Sequence, residues 1–176
     1  LAIVFGVTSA DNIIQITSCS FLNNSALFGA GLAIVVSSNA TSNQVVISQS
    51  SQFSFNSATQ AGGGILLVLS TSDGLPNNSI TVSASFVSNS ASLGGAMACF
   101  SGYQMYATQQ NSLTITQSSF IANMAYRGGS ALSIVTWTKV NRGYPLVASM
   151  DQSNVTSNTI SALSPSSTSS VVGLGT

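Results

Sequence analysis

Six side chains carry formal charge in the 176-residue sequence: Asp11, Asp73, Asp151, Arg127, Lys139 and Arg142. There is no Glu and no His. Without imidazole no Ser-His or Cys-His pair can activate a nucleophile, and no histidine metal site can form. Polysaccharide cleavage by paired carboxylates needs two groups about 5–9.5 Å apart. Asp11 and Asp73 each precede the start of a repeat, but the repeats are two units apart, and Asp151 lies beside a different strand. The acids therefore do not converge on one another, and the expectation is a protein that is not an enzyme and carries no cofactor or metal.

Glycine clusters at Gly29, Gly62 to Gly64, Gly94-Gly95 and Gly128-Gly129 invite a phosphate-cradle reading. A P-loop would need Lys-Ser or Lys-Thr after the glycines and a helix opening there, and neither is present. Recurrence in every unit marks these glycines as tight corners, where positive φ is expected. Cys19 and Cys99 belong to units two apart, about 10 Å at the strand spacing of a sheet, beyond the reach of a disulfide. Both are expected to be small buried apolar residues.

Charged residues make up 3% of the chain, against roughly 25% in an ordinary globular protein. With Lys+Arg 3 and Asp+Glu 3 there is no basic footprint for a phosphate backbone, so no nucleic-acid partner is expected. The longest apolar runs, such as Leu32 to Val36 and Ile65 to Leu69, are of strand length. They fall far short of the roughly 18 residues of a membrane helix, and no membrane span is expected. A neutral surface of Ser, Thr, Asn and Gln favours association between copies.

Two further groups of residues could make contacts. Segments Ser101 to Ser112 and Thr136 to Tyr144 hold the only Trp, three of the four Tyr and two of the three cations. Stacked side by side they bring Tyr103, Met105, Tyr106, Trp137, Lys139, Arg142 and Tyr144 together, either as a surface for a partner protein or glycan or as a cover for the flank of the fold. Asn-x-Ser/Thr sequons occur at Asn23, Asn39, Asn77 and Asn154. Asn39 and Asn77 lie in variable loops from which a glycan could project, whereas Asn23 sits beside an inward Asn and is expected to be less accessible.

These residues are positioned by a repeat. The phrase SSFIANMAYRGGSA, from Ser118 to Ala131, returns as CSFLNNSALFGAG, QFSFNSATQAGGG and ASFVSNSASLGGA, with a faded copy, SNVTSN, from Ser153. Its anchors Phe21, Phe53, Phe86, Phe120 and Val155 are spaced 32, 33, 34 and 35 apart, with Asn24, Asn56, Asn89, Asn123 and Asn158 three residues further on. A period between 20 and 50 residues means a solenoid or array.

Each unit opens with an apolar, alternating run such as Ile13 to Thr17 or Leu113 to Thr116, which reads as a strand with one face buried. The Ser-x-Phe-x-x-Asn segment is a second short strand. A Ser-Ala corner and the glycines lead into a third, such as Leu32 to Val36, and a polar connection of varying length follows. Three strands per unit and no capped helical period predict an all-β parallel β-helix of about five coils. Residues 1–160 form the repeats, and 161–176 form a Ser/Thr-rich loop or stalk with a possible final strand. Stacked in register, the phenylalanines form an aromatic ladder and the asparagines satisfy one another. Leu1 to Phe5 matches Leu32 to Val36, so the chain reads as a segment that starts in mid-repeat.

Phe-x-x-Asn paired with Gly-Gly-Ala resembles the repeats of chlamydial polymorphic outer-membrane proteins. The first motif stands as FLNN, FSFN, FVSN and FIAN from Phe21, Phe53, Phe86 and Phe120, and the second as GGAM from Gly94 and GGSA from Gly128, with looser GAGL and GGGI. The resemblance implies a right-handed β-helix displayed outside a cell, as in autotransporter passengers that act as adhesins. Taken together, these features lead us to expect an extracellular, glycosylated structural segment that associates with further copies as the building unit of a fibre or hair-like appendage. The alternatives are an adhesin that binds through the Tyr103/Trp137 loops and, more remotely, a polysaccharide lyase or hydrolase.

Overall fold

The computed structural model describes residues 1–70, 77–101, 111–136 and 147–160. All regular structure among them is β, with no helix. β1 (Ala2–Phe5) leads into a first coil of β2 (Ile13–Ile16), β3 (Ser20–Leu22), β4 (Ser25–Phe28) and β5 (Leu32–Val36). The second coil is β6 (Gln44–Ser54), β7 (Ser57–Ala61) and β8 (Ile65–Leu69), and the third is β9 (Ser79–Val87), β10 (Ser90–Leu93) and β11 (Met97–Ser101). The fourth is β12 (Ser112–Thr116), β13 (Ser119–Ile121), β14 (Met124–Gly128) and β15 (Leu132–Thr136). β16 (Val147–Asp151), β17 (Asn154–Thr156) and β18 (Thr159–Ile160) begin a fifth.

Every pairing is parallel and joins a strand to its copy one coil away, so the chain is a parallel β-solenoid. One sheet runs β1-β5-β8-β11-β15 and another β4-β7-β10-β14-β18. The third carries the paired first and second strands of every coil, with β6 and β9 at its centre. Ala2 pairs with Ala33, and Phe120 with both Phe86 and Val155, which places the opening LAIVF and the faded last repeat in register with the others.

The coil differs from the expected three strands in one place. The Ser-Ala segment is itself a strand (β4, β7, β10 and β14), so a coil has four strand segments. In coils two and three the first two merge into β6 and β9. Four inward polar or glycine corners therefore turn the chain, and most are made without glycine. Asp11, Ser42 and Asn77 hold positive φ at one corner, Ser18, Gln117 and Gln152 at the next, and Asn23, Phe55, Ser88, Ala122 and Ser157 at the third.

At the fourth corner Gly29, Gly62, Gly94 and Gly129 take φ of 57°, 68°, 62° and 52°. Gly63, Gly95 and Gly128 do not, contrary to expectation. Gly63 and Gly95 are fixed by close approach instead. A Cβ on Gly63 would lie 2.2 Å from the Gly95 carbonyl oxygen, and one on Gly95 2.4 Å from that of Met124. The amide of Gly94 donates to Gly128 and that of Gly95 to Gly129, so GGAM from Gly94 aligns with Gly129-Ser130-Ala131-Leu132, one residue later than GGSA.

The core is the lumen of the coil. Phe53, Phe86 and Phe120 are fully buried and pack with Leu32, Ile34, Ile47, Ile65, Leu67, Ile80, Met97 and Leu113. Burial contributes on the order of 1.5–3 kcal/mol for each such side chain.

Candidate functional site: stacked corners and the open end coil

Phe21, Phe53, Phe86 and Phe120 form the expected ladder, with ring centroids 4.6, 5.0 and 4.9 Å apart and planes within 3°, 11° and 4°. The Phe-x-x-Asn row is satisfied at every buried member. Asn56 donates from Nδ2 forward to Asn89 Oδ1 (3.0 Å) and backward to the Phe21 carbonyl (2.8 Å), and its backbone N–H also donates to Asn89 Oδ1 (3.0 Å). Asn89 repeats this toward Asn123 and Phe53, and Asn123 toward Asn158 and Phe86. Each Asn stands directly after the positive-φ residue of its corner, which turns the amide into the lumen.

A second asparagine ladder escaped the sequence reading. Asn12, Asn43, Asn78 and Asn111 stack at the entry to the first strand of each coil, with Nδ2 of each donating to Oδ1 of the next at 2.8, 2.9 and 2.9 Å. Asn43 and Asn78 also reach back to the carbonyls of Ser9 and Ala40. The available signal was an Asn two residues before each apolar start at Ile14, Val45, Ile80 and Leu113. A partial hydroxyl row lies at the intervening corner, where Ser51 Oγ accepts from Cys19 N–H, Ser118 Oγ from Ala84 N–H and Ser153 Oγ from Ser118 N–H.

Both amide ladders are directional. Donors point toward the later coil and acceptors toward the earlier one, so the first coil ends in acceptors. Asn12 and Asn24 each donate to the next coil, but among the described residues nothing donates to their own Oδ1. Among the described residues β1, β2, β3 and β4 are each paired on one edge, Phe21 stacks on one other ring, and Asn24 is exposed.

Cys19 is exposed, not buried as expected, since among the described residues no coil lies on its outer side; Ser51 and Ser118 in the same row are buried. Cys99 is buried in β11, and burial pushes its thiol up to about 12. Both cysteines are free.

The remaining candidates are dispersed. Asp11, Asp151 and Arg127 are exposed, and no group of three His, Cys, Asp or Glu side chains gathers among the described residues. Asp73 and the loop residues Tyr103, Met105, Tyr106, Trp137, Lys139, Arg142 and Tyr144 lie outside the described residues, as does 161–176. All four sequon asparagines are exposed. That includes Asn23, whose positive φ points it away from the lumen while Asn24 turns in, so the expectation of poor access is corrected.

The sheet of β1, β5, β8, β11 and β15 is apolar outside as well as inside. Val4, Val35, Val68, Phe100 and Val135 form one outward-facing row, of which Val135 is buried, and Leu66 and Ala98 on the same face are buried beside it with Ala61. No helix among the described residues is long and apolar enough to cross a membrane.

No family model, curated protein or solved structure matches the chain. The likeness to chlamydial polymorphic outer-membrane repeats therefore rests on the motifs themselves.

Proposed function

We propose that this chain is a non-enzymatic structural segment of an extracellular, glycosylated surface protein and serves as a building unit of a fibre or hair-like appendage. The observation that carries this reading is the continuous, directional stacking of Phe and Asn side chains through successive coils. Such stacking resists bending and slippage because any shift in register unpairs several buried amides at once. A charge-poor exterior supports side-by-side packing, and four exposed sequons leave room for glycans. The repeats' likeness to surface-displayed passengers supports an extracellular setting.

Electron microscopy of the purified chain over a concentration series, together with antibody labelling of intact source cells, tests the proposal. Regular filaments, and label along a surface appendage, are expected. Short monomeric rods at every concentration and label confined to the cell interior would overturn it.

A further inference from the structure

We propose that the third coil is the floor of a shallow valley across the outside of the solenoid, and that this valley binds an extended chain of sugar rings. The site uses none of the Tyr103/Trp137 segments and goes beyond the fibre reading.

The valley follows from the register of three interior coils. Between the paired positions Ala91/Ala125 and Leu93/Gly128 the third coil has Ser92 alone, where the fourth has Tyr126 and Arg127. The second coil has Ala58, Thr59 and Gln60 between Ser57 and Ala61, where the third has only Ala91 and Ser92 between Ser90 and Leu93. The same happens one corner earlier. The third coil has Ser83 alone between Val82 and Ala84, where the second has Ser48, Gln49 and Ser50 between Ile47 and Ser51. The fourth has Thr116 and Gln117 between Ile115 and Ser118. Positions on both sides of each insertion stay paired, so the extra residues loop outward. Exposure agrees: Gln49, Gln60, Gln117 and Tyr126 are exposed, whereas Ser92 is half-buried and Ser83 buried. Gln49 Nε2 donates to Gln117 Oε1, joining the second coil to the fourth over the top of Ser83.

The surface chemistry selects the occupant. The outward residues of the floor are Ser83, Ser85, Val87, Ser88, Ser90 and Ser92, a row of hydroxyls broken once. Ser83 Oγ is buried beneath the Gln bridge without a partner, and Ser88 and Ser92 make no side-chain hydrogen bond among the described residues. Each wall carries an open aromatic ring. Phe55, 57% exposed, adjoins the floor through its N–H to the Val87 carbonyl (3.0 Å), and Tyr126, 49% exposed, stands on the opposite wall. Phe55 holds positive φ with its ring in solvent, a strained placement that packing does not repay. Ring faces take the C–H face of a sugar, and serine hydroxyls and Gln amides take its hydroxyls. Arg127 is exposed with no Asp among the described residues of coils two to four, so a sugar carboxylate is accepted there as well.

Other occupants fit less well. The wall backbones are two strand spacings apart, about 9.6 Å. An α-helix about 10–12 Å across does not enter. An extended peptide is held by a free strand edge, and β9 and β10 are paired on both edges.

The full chain, made in bacteria so that its sequons are bare, is titrated with cellotetraose, chitotetraose and tetragalacturonate and read by saturation-transfer NMR. Circular dichroism checks that each variant is folded. At least one tetrasaccharide is expected to bind, and the double variant Phe55→Ser, Tyr126→Ser to weaken it by about tenfold or more through loss of both ring contacts. Arg127→Gln should weaken tetragalacturonate by up to about fivefold, the scale of an exposed ion pair, and spare the neutral probes. Phe28→Ser removes an exposed ring of the first coil, outside the valley, and should change nothing. Preference for chitotetraose assigns the occupant to the core of an Asn-linked glycan on a neighbouring copy, and preference for either other probe to a free polysaccharide.

Failure of all three probes to bind at millimolar concentration would overturn the site. So would wild-type affinity in the folded double variant, or an equal loss in Phe28→Ser. Micrographs of the same protein keep the two proposals apart: filaments without sugar binding remove the valley alone, and sugar binding by short monomeric rods removes the fibre alone.

Discussion

At Asn89 a single side chain closes four hydrogen bonds, serving the N–H and Nδ2 of Asn56, the carbonyl of Phe53 and Oδ1 of Asn123. Replacing it with Leu keeps the branched shape but removes all four bonds in a site with no access to water, leaving Asn123 Oδ1 only the backbone N–H of residue 89. A buried unsatisfied group costs about 1–3 kcal/mol, so Asn89→Leu is expected to lower stability by about 3 kcal/mol or more in urea unfolding. Asn24→Leu, at the exposed end of the same row, should cost under about 1 kcal/mol. Equal losses at the two sites would mean that the ladder adds nothing beyond packing.

Cys99 gives a pH-dependent signature. Burial raises its folded thiol to about 12 from the ordinary 9.0, so the folded state holds the proton where the unfolded chain has released it. The stabilisation is complete below pH 9 and is lost as pH rises toward 12. Cys19 should react with a thiol reagent at once at pH 8, and Cys99 only as fast as the coil opens. The row of Phe-x-x-Asn was legible in the sequence because an aromatic marks it. The Asn12 row was not, since Asp-Asn, Ser-Asn and Gln-Asn before a strand look like ordinary loop ends.

At the level of the element, the corners decide which substitutions a coil tolerates. Gly94 combines φ of +62° with a position where a Cβ would fall 2.0 Å from the Met97 carbonyl oxygen, so Gly94→Ala must reshape the turn between β10 and β11. A loss of about 2–3 kcal/mol is expected, in keeping with the cost of a strained backbone. Phe55 is the reverse case. It holds φ of +55° with its ring largely exposed, at a cost of roughly 1–2 kcal/mol for a non-glycine residue. Phe55→Gly relieves that strain but gives back about 0.5–1 kcal/mol through the freer unfolded chain. A small net rise in melting temperature is therefore expected, and a fall would show that the ring makes a stabilising contact.

These elements also show what periodicity conveys and what it conceals. Alternation located the first strand of each coil, where Thr81 and Thr114 face out and Val82 and Ile115 face in. Runs such as ILLVL gave a strand but not its second buried face, because a strand apolar on both sides carries no alternation. The Ser-Ala segment read as a corner because its strand is short and has small side chains; β10 is Ser-Ala-Ser-Leu.

For the molecule as a whole, stability comes from contacts between neighbouring coils, since no coil can bury its own lumen. Among the described residues the interior coils have two neighbours and the first and last coils one, so amide exchange should be slowest in β6–β11 and faster in β2–β4 and β16–β18. The solenoid also has almost no electrostatic contribution to lose: the charged side chains described on it, Asp11, Arg127 and Asp151, are all exposed. Screening by salt acts on exposed charges over about 10 Å at 0.1 M, and few charges are present to be screened. The melting temperature is therefore expected to move by no more than a few degrees between 0.02 and 0.5 M NaCl, by the same screening argument. Sulfate should raise it, because excluded salts strengthen apolar burial regardless of charge. A large drop in NaCl, measured by circular dichroism on the monomeric chain, would place an ion pair in control of the fold and contradict a solenoid held by amide ladders and apolar stacking alone.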